Sequence, residues 1–163
     1  LATPATPFEL MIGKLHPYIA VGVVQTAVIL VLARLLFAIP LAQTAAGWLA
    51  LIVGIVLFIV SNLTLGYLFS TLVRSQLQAM QVSLFYIMPS LFLSGFMFPF
   101  SGLPRWAQWL GELLPITHFI RIIRGALLKD QALGDMRPDI LALAAFLIIA
   151  ATVTVARSRT TLD

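Results

Sequence analysis

Four long apolar runs, each almost free of charge, follow one another along the 163-residue chain. A helix that crosses the hydrocarbon core of a bilayer needs about 20 predominantly apolar residues. The runs meet or approach this length, and they predict transmembrane helices over residues 18–38, 47–71, 79–100 and 140–156. The predicted fold class is therefore an all-α, polytopic transmembrane helical bundle whose two ends lie on the same side of the membrane.

The segment before the first run, residues 1–17, has the pattern of a short amphipathic helix. Thr6 at N-cap and Glu9 at N3 form a capping box, with a proline at N1. An apolar face follows at helical spacing, and His16 followed by Pro17 predicts the end of this helix before the first span. Such a helix lies on the membrane surface, either as an interfacial anchor only or as a contact for a partner. Its apolar face consists of Phe8, Met11, Ile12 and Leu15.

The connection at residues 101–139 is long and contains two further helical patterns. In the first, Pro104 is at N1, an apolar face follows, and Pro115 ends the run. The second covers residues 117–129, is too short to cross a bilayer, and has a polar stripe at a spacing of three. These features predict a helix pair that enters the membrane and returns on the same side. Acidic residues then form a hydrated connection to the last span, and residues 157–163 form a tail. The polar stripe consists of His118, Arg121 and Arg124.

Small and polar residues recur along one face of the second predicted span. Small side chains let membrane helices approach closely, and an amide can hydrogen-bond across the contact. Helix packing is the favoured interpretation of this face, and a role in lining a transport pathway is the alternative. Its residues are Gly54, Asn62, Gly66 and Ser70.

The composition supports a membrane protein: 61% of the residues are apolar, 10% are charged, and the mean hydropathy is +1.04. A soluble domain is roughly 45–50% apolar and about 25% charged, so a chain of this size could not bury the excess apolar surface. The net charge is +4, but the basic residues are scattered between apolar runs, which argues against a nucleic-acid partner. Lysines and arginines divide four against five between the two predicted sides, so the positive-inside rule leaves the orientation open.

The sequence contains no recognisable catalytic or metal-binding constellation. Cysteine is absent, which excludes disulfides and thiolate metal sites in this chain. The two histidines, His16 and His118, lie on different connections, and no pair of acidic residues lies within a predicted span. A Gly-rich phosphate loop followed by Lys and Ser or Thr is also missing. The sequence therefore predicts no catalytic residue, no metal and no bound cofactor, and an intramembrane enzyme is the weakest interpretation.

The segment from residue 93 to residue 125 carries a specific motif, LSGFMFPFSGLP, which is followed by two tryptophans, LPIT and IRG. It closely resembles the membrane subunits of type-2 ATP-binding-cassette exporters, the bacterial multidrug and polysaccharide permease superfamily. Residues 1–14 resemble the cytosolic stretch before that family's third span, and the resemblance covers essentially the whole chain. The motif positions are Gly95, Pro99, Pro104, Trp106, Pro115, Arg121, Arg124 and Gly125.

The resemblance implies a six-span permease unit whose last four spans match this chain, with two spans and a soluble region before residue 1. The first amphipathic helix would act as a coupling helix on the ATPase. The helix pair would re-enter the membrane from the outer face and border the exit of the pathway. Both ends of the chain would then be cytosolic, in the bacterial plasma (inner) membrane. The coupling positions are Thr6, Phe8, Glu9, Gly13 and Lys14.

The resemblance also implies partners. Two permease units, identical or different, would pair with two ATP-binding-cassette ATPase subunits, which would bind ATP and Mg²⁺. This chain would then be no enzyme itself and would form part of the pathway for a hydrophobic or amphipathic substrate: a drug, a lipid or a glycan-lipid. The alternative is a non-transporting membrane anchor, sensor or accessory subunit derived from such a permease. A neighbouring ATP-binding-cassette gene would favour the exporter.

Overall fold

The computed structural model describes the backbone of residues 7–160 and the side chains of residues 12–157, and these residues form helices joined by short connections. The described part contains no strand, which confirms the all-α fold class. The six α-helices are α1 (Pro7–Phe37), α2 (Ala45–Leu72), α3 (Gln76–Leu93), α4 (Arg105–Glu112), α5 (Pro115–Lys129) and α6 (Arg137–Thr160), and a 3₁₀ turn covers Phe100–Gly102.

Three of these helices are long and apolar enough to cross a membrane, namely Ile12–Phe37, Ala45–Leu72 and Arg137–Arg157. They correspond to the first, second and fourth predicted spans. Helix α3 is shorter: its 18 residues extend about 27 Å, slightly less than the roughly 30 Å of a hydrocarbon core. The prediction that this span continues to residue 100 was wrong, because the helix ends at Leu93.

The early end of α3 has a local cause. Gly95 has a φ of +83°, a left-handed conformation that terminates a helix and that glycine adopts without strain. Four residues later, Pro99, with φ −55° and ψ 125°, precedes the 3₁₀ turn. The apolar residues between them therefore lie outside the helix, although their hydropathy alone extended the predicted span.

Helix α1 is continuous across Pro17, so the predicted helix break at this position was wrong. A proline within a helix removes one backbone hydrogen bond, here the one to the carbonyl of Gly13, and membrane helices tolerate this loss. The predicted surface helix and the first span are therefore one rod of 31 residues.

The core of the bundle lies where α5 and α6 pack against the first half of α2. Gly54 of α2 provides the closest approach, because a Cβ atom there would lie 2.6 Å from Cγ2 of Ile122 on α5. Ile122 is fully buried. The short helix α5 is thus packed into the bundle rather than lying loosely over it. The buried core residues are Ala50, Leu51, Ile55, Ile122, Ala126, Met136 and Leu143.

Contacts between α1 and α2 establish which connections share a side of the bundle. The two helices are antiparallel, with Lys14 beside Tyr67 at one end and Gly22 beside Ile59 further along. At the other end, the loop after α1 contacts the end of α5, because Asp130 accepts hydrogen bonds from its backbone. The α4–α5 hairpin is therefore at the end of α2 opposite to the α2–α3 turn.

Candidate functional site

The helix pair predicted from residues 101–139 forms a hairpin, α4–α5, whose bend is held by local contacts. Pro104 immediately precedes α4, and Pro115 is the first residue of α5. The Thr117 hydroxyl donates a 2.6 Å hydrogen bond to the carbonyl of Gly111. Gly111 also lies so close to the carbonyl of Leu93 that a side chain there would collide with it. The bend is therefore stabilised by a hydrogen bond within the hairpin and by close packing against the end of α3.

Four charged or titratable side chains meet beside this hairpin. His118 Nδ1 lies 2.8 Å from Oδ1 of Asp139, on the first turn of α6, and His118 Nε2 lies 2.9 Å from the carbonyl oxygen of Glu112. Arg121 donates two hydrogen bonds to the Glu112 carboxylate, one of 2.9 Å, and a longer one of 3.5 Å to Asp139. We call these four residues the hairpin cluster. It joins α4, α5 and α6.

The geometry of the hairpin cluster favours a protonated His118. Both ring nitrogens face oxygen acceptors, and only the imidazolium form has a hydrogen on each nitrogen. The hydrogen bond to Asp139 raises the pKa of His118, with further contributions from Glu112, while burial opposes the shift. The cluster then contains two cations and two anions, so charges beside an apolar bundle are compensated.

Arg124, the third residue of the predicted polar stripe, lies apart from the cluster. Its guanidinium donates a 3.2 Å hydrogen bond to the carbonyl of Gly95, whose left-handed conformation directs the chain back toward α5. The Arg121 guanidinium lies 4.7 Å from the centroid of the Phe100 ring. The two arginines therefore attach α5 to the segment that follows α3.

Apolar contacts line the other face of α5. Phe119 stacks on Phe58 of α2 with ring centroids 3.9 Å apart. Beside this pair is an apolar cavity of about 320 Å³ with Arg124 at its wall. This cavity is bounded by Phe58, Phe96, Ile116, Phe119, Ile120, Ile123 and Arg124.

The remaining motif residues have different surroundings. Trp106 is 65% exposed, so the tryptophan side of α4 faces away from this chain, as expected for indoles at the headgroup layer. Gly125 is buried where α5 meets the next connection, and its carbonyl accepts the N–H of Gln131. Pro99 precedes the 3₁₀ turn. These three residues contribute no polar group to the hairpin cluster.

The predicted face of α2 divides into two parts. Asn62 makes an interhelical hydrogen bond, since its Oδ1 accepts from the Tyr86 hydroxyl of α3 at 3.1 Å. Gly66 faces open space, because a Cβ atom there would have nothing within 4 Å. Gly66 and Ser70 border a cleft of about 670 Å³ between α1 and α2, and Asn62 lines this cleft as well.

The five coupling positions are only partly described. Thr6 lies outside the described residues, and Phe8 and Glu9 lie in α1 where side chains are not described. Gly13 has open space around it, and Nζ of Lys14 lies 5.7 Å from the centroid of the Tyr67 ring. Their role in coupling stays a prediction.

Sequence reasoning missed two acidic residues, which it assigned to a hydrated connection. Asp130 ends α5 with a φ of +49° and accepts the backbone N–H groups of Gln43 and Thr44 at 2.9 and 3.2 Å. Desolvation raises the pKa of the Asp130 carboxyl, but these hydrogen-bond donors outweigh it and hold the pKa below its usual value. Asp139 is the histidine partner described above. A weak signal existed for Asp130, because aspartate tolerates the left-handed conformation that ends a helix.

The described residues contain no group of three or more His, Cys, Asp or Glu side chains that could hold a metal ion. The polar side chains of the hairpin cluster pair with one another. Their arrangement is suited to fastening helices together.

The three long apolar helices, with a charged hairpin packed between two of them, define a polytopic helical membrane protein. The profile of the ABC-2 type transporter family matches residues 1–128, and the chain belongs to this family. No solved structure matches the chain significantly.

Three curated relatives illustrate the range of the family. The probable multidrug ABC transporter permease YbhR of Escherichia coli strain K12 is 34% identical over 134 residues, which are 82% of this chain and 35% of the relative. ABC transporter G family member 20 of Dictyostelium discoideum is 30% identical over 125 residues, 77% of this chain and 17% of the relative. The inner membrane transport permease YhhJ of Escherichia coli strain K12 is 25% identical over 146 residues, 89% of this chain and 38% of the relative. The chain thus spans little more than a third, or less, of these relatives.

Proposed function

We propose that this chain forms membrane helices of the permease subunit of an ATP-driven exporter. The observation that carries the proposal is the ABC-2 family match over residues 1–128, a range that includes the whole α4–α5 hairpin. The packing of Ile122 against Gly54 supports a hairpin that is part of the membrane bundle, as a gate at the end of a pathway requires.

The energy source in this proposal is a separate ATP-binding-cassette ATPase subunit, which binds ATP and Mg²⁺. The sequence has no phosphate-binding loop of its own. A movement imposed by the ATPase near Pro7 would travel along α1, whose 31 residues form one rod of about 46 Å. The continuity of α1 across Pro17 supports this transmission, because a helix break at that point would absorb part of the movement. A second permease unit, identical or different, would complete the pathway.

The proposed location is a bacterial plasma (inner) membrane, with the start of α1, the α2–α3 turn and the end of α6 in the cytosol. The α4–α5 hairpin is then at the outer face. Exposed basic residues are present at both ends of the bundle, so the proposed orientation rests on the family resemblance rather than on charge. The relative YhhJ is named an inner membrane transport permease, which supports the same location.

The proposed substrate is hydrophobic or amphipathic. The relative YbhR is named a probable multidrug ABC transporter permease, and the cavity beside Phe58 and Phe119 has an almost wholly apolar lining. An apolar cavity at the side of a hairpin can accommodate an apolar group during passage, since the transfer from lipid is then inexpensive.

The experiment is reconstitution of the full-length subunit with its ATPase in inside-out proteoliposomes. We expect accumulation of a hydrophobic fluorescent dye that requires both subunits and hydrolysable ATP. A hydrolysis-deficient ATPase is the control, because it assembles but cannot drive transport. A stable complex that never moves dye, lipid or glycan-lipid in an ATP-dependent way would contradict export and favour a non-transporting anchor or sensor.

A further inference from the structure

A groove runs between α1 and α2 at the end of the bundle opposite to the hairpin. The 670 Å³ cleft forms its first part, and a second hollow of about 320 Å³ continues it along the same two helices. The two hollows share Tyr18, Asn62 and Leu63. From Ser70 to Phe58 the groove follows α2 for 12 residues, about 18 Å, which exceeds one leaflet of a roughly 30 Å hydrocarbon core.

Charge and apolar surface are separated along this groove. Lys14 lies at its end, at the first residues of the membrane-spanning part of α1, and the rest of the lining is mostly apolar. Among the residues whose side chains are described, no carboxylate pairs with Lys14, and its Nζ lies 5.7 Å from the centroid of the Tyr67 ring. A cation at the membrane surface attracts the anionic headgroups of lipids.

Two residues keep the wall of the groove open. Gly66 has no side chain, and the space that a Cβ atom would occupy there is empty to 4 Å. Both ends of the Asn62 amide are hydrogen-bonded. Its Oδ1 accepts from the Tyr86 hydroxyl, and its Nδ2 donates a 2.9 Å bond to the carbonyl of Phe58 on the same helix. The middle of the groove is therefore accessible, and the Asn62 amide is already hydrogen-bonded there, although Gln25 of α1 also lines this part.

We propose that this groove binds one acidic phospholipid of the surrounding bilayer, with its phosphate at Lys14 and one acyl chain between α1 and α2. The occupant is a bound membrane lipid rather than the exported substrate. The groove would recognise this lipid through one positive charge at the membrane surface and an apolar lining about as long as one leaflet is thick. Binding of this kind does not depend on whether the protein exports anything.

The test uses the purified full-length subunit without its ATPase, titrated in mild detergent with phosphatidylglycerol or phosphatidylcholine and examined by native mass spectrometry. We expect one tightly retained phosphatidylglycerol and a weaker retention of phosphatidylcholine. Lys14→Gln should reduce the preference for phosphatidylglycerol about fivefold, the factor that corresponds to about 1 kcal/mol per basic residue at a membrane surface. Gly66→Leu should reduce retention of both lipids, because its side chain fills the groove.

Two matched variants serve as controls. Arg74→Gln removes a basic residue at the same end of the bundle that does not line the groove, and it should keep the wild-type preference. Gly102→Leu adds the same side chain at another glycine with open space, next to the hairpin, and it should keep wild-type retention. Gel filtration confirms that each variant is folded. If Gly66→Leu does not fold, Lys14→Gln alone still tests the site.

Three results would overturn the proposal. The first is equal retention of the two lipids by the wild-type subunit. The second is an unchanged lipid preference in Lys14→Gln. The third is unchanged retention in a folded Gly66→Leu variant, which would mean that another segment of the full-length subunit covers the groove.

Discussion

His118 on α5 and Asp139 on α6 are joined by a 2.8 Å contact between Nδ1 and Oδ1, although they are 21 positions apart in the sequence. This contact fastens the α4–α5 hairpin to the first turn of a long apolar helix. Glu112 and Arg121 are the other charged groups of the same cluster. The attachment of the hairpin therefore depends on charge as well as on apolar packing. The charge on His118 changes with pH, so its contribution can be measured by varying the pH.

The first prediction concerns this pH dependence. The pKa of His118 is raised by its bond to Asp139, so the imidazolium stabilises the folded state fully below the unfolded pKa of about 6.5. This contribution is lost as the pH rises through the raised pKa. The melting temperature of the full-length subunit should therefore fall between pH 6 and pH 9, and His118→Gln should make the fall at least twofold smaller. His16→Gln is the control and should retain the wild-type profile; an identical profile for His118→Gln would contradict the prediction.

The second prediction concerns the contact between α2 and α5. Gly54→Ala places a Cβ atom 2.6 Å from Cγ2 of Ile122, and overpacking of this kind costs about 1–3 kcal/mol. We expect Gly54→Ala to lower the melting temperature of the wild-type subunit. The same change should lower it less when it is made in an Ile122→Ala variant, because the clashing side chain is then absent. Gly66→Ala is the matched control, because open space surrounds it and alanine is the better helix former. Equal stability of the two alanine variants would show that Gly54 and Ile122 are not in close contact.

The third prediction concerns Asp130, whose Oδ1 accepts two backbone N–H groups from the loop before α2. Asp130→Ala removes both bonds and leaves alanine in a left-handed conformation, so the melting temperature should fall. Asp130→Asn keeps an oxygen acceptor and tolerates that conformation, so its effect should be the smaller of the two. Equal falls for the two variants in a thermal melt would contradict the prediction, because both remove the negative charge but only Asn keeps the acceptor oxygen.

The fourth prediction tests the proposed orientation by labelling. Ser75 and Gly134 are both exposed and lie at opposite ends of the bundle, and the 163-residue sequence has no cysteine of its own. In intact cells, Gly134→Cys should react with an impermeant thiol reagent, and Ser75→Cys should react only after permeabilisation. The background is a full-length subunit without other cysteines. The opposite labelling pattern would invert the proposed topology.

The fifth prediction concerns coupling through the start of α1. Thr6→Ala combined with Glu9→Ala should loosen the first turn of this helix by about 1–2 kcal/mol without altering a membrane-spanning segment. Insertion should survive, while co-purification of the ATPase, or stimulation of its activity by substrate, should fall. If both stayed at wild-type levels, the segment would be an interfacial anchor only.

Local patterns of the sequence were sufficient for much of the helical architecture. The apolar runs predicted α2 and α6 closely, because hydropathy over some 20 residues reports directly on burial in lipid. Pro104, predicted at N1, lies one position before α4, and Pro115, predicted to end that run, is the first residue of α5, since proline restricts its own φ and lacks an N–H group. These are effects within a few residues, which a single sequence displays.

Tertiary structure alone decided the contacts between distant residues. The pattern of α5 showed a polar stripe but not that His118 meets Asp139, whereas Arg124 meets Gly95. Asp130 and Gln43 are 87 positions apart, and Gly54 and Gly66 are alike in sequence although one is packed against Ile122 and the other borders an open groove. Hydropathy and helical periodicity report which face of a helix is apolar. Which neighbour that face meets depends on the packing of the other helices, and a local pattern contains no information about it.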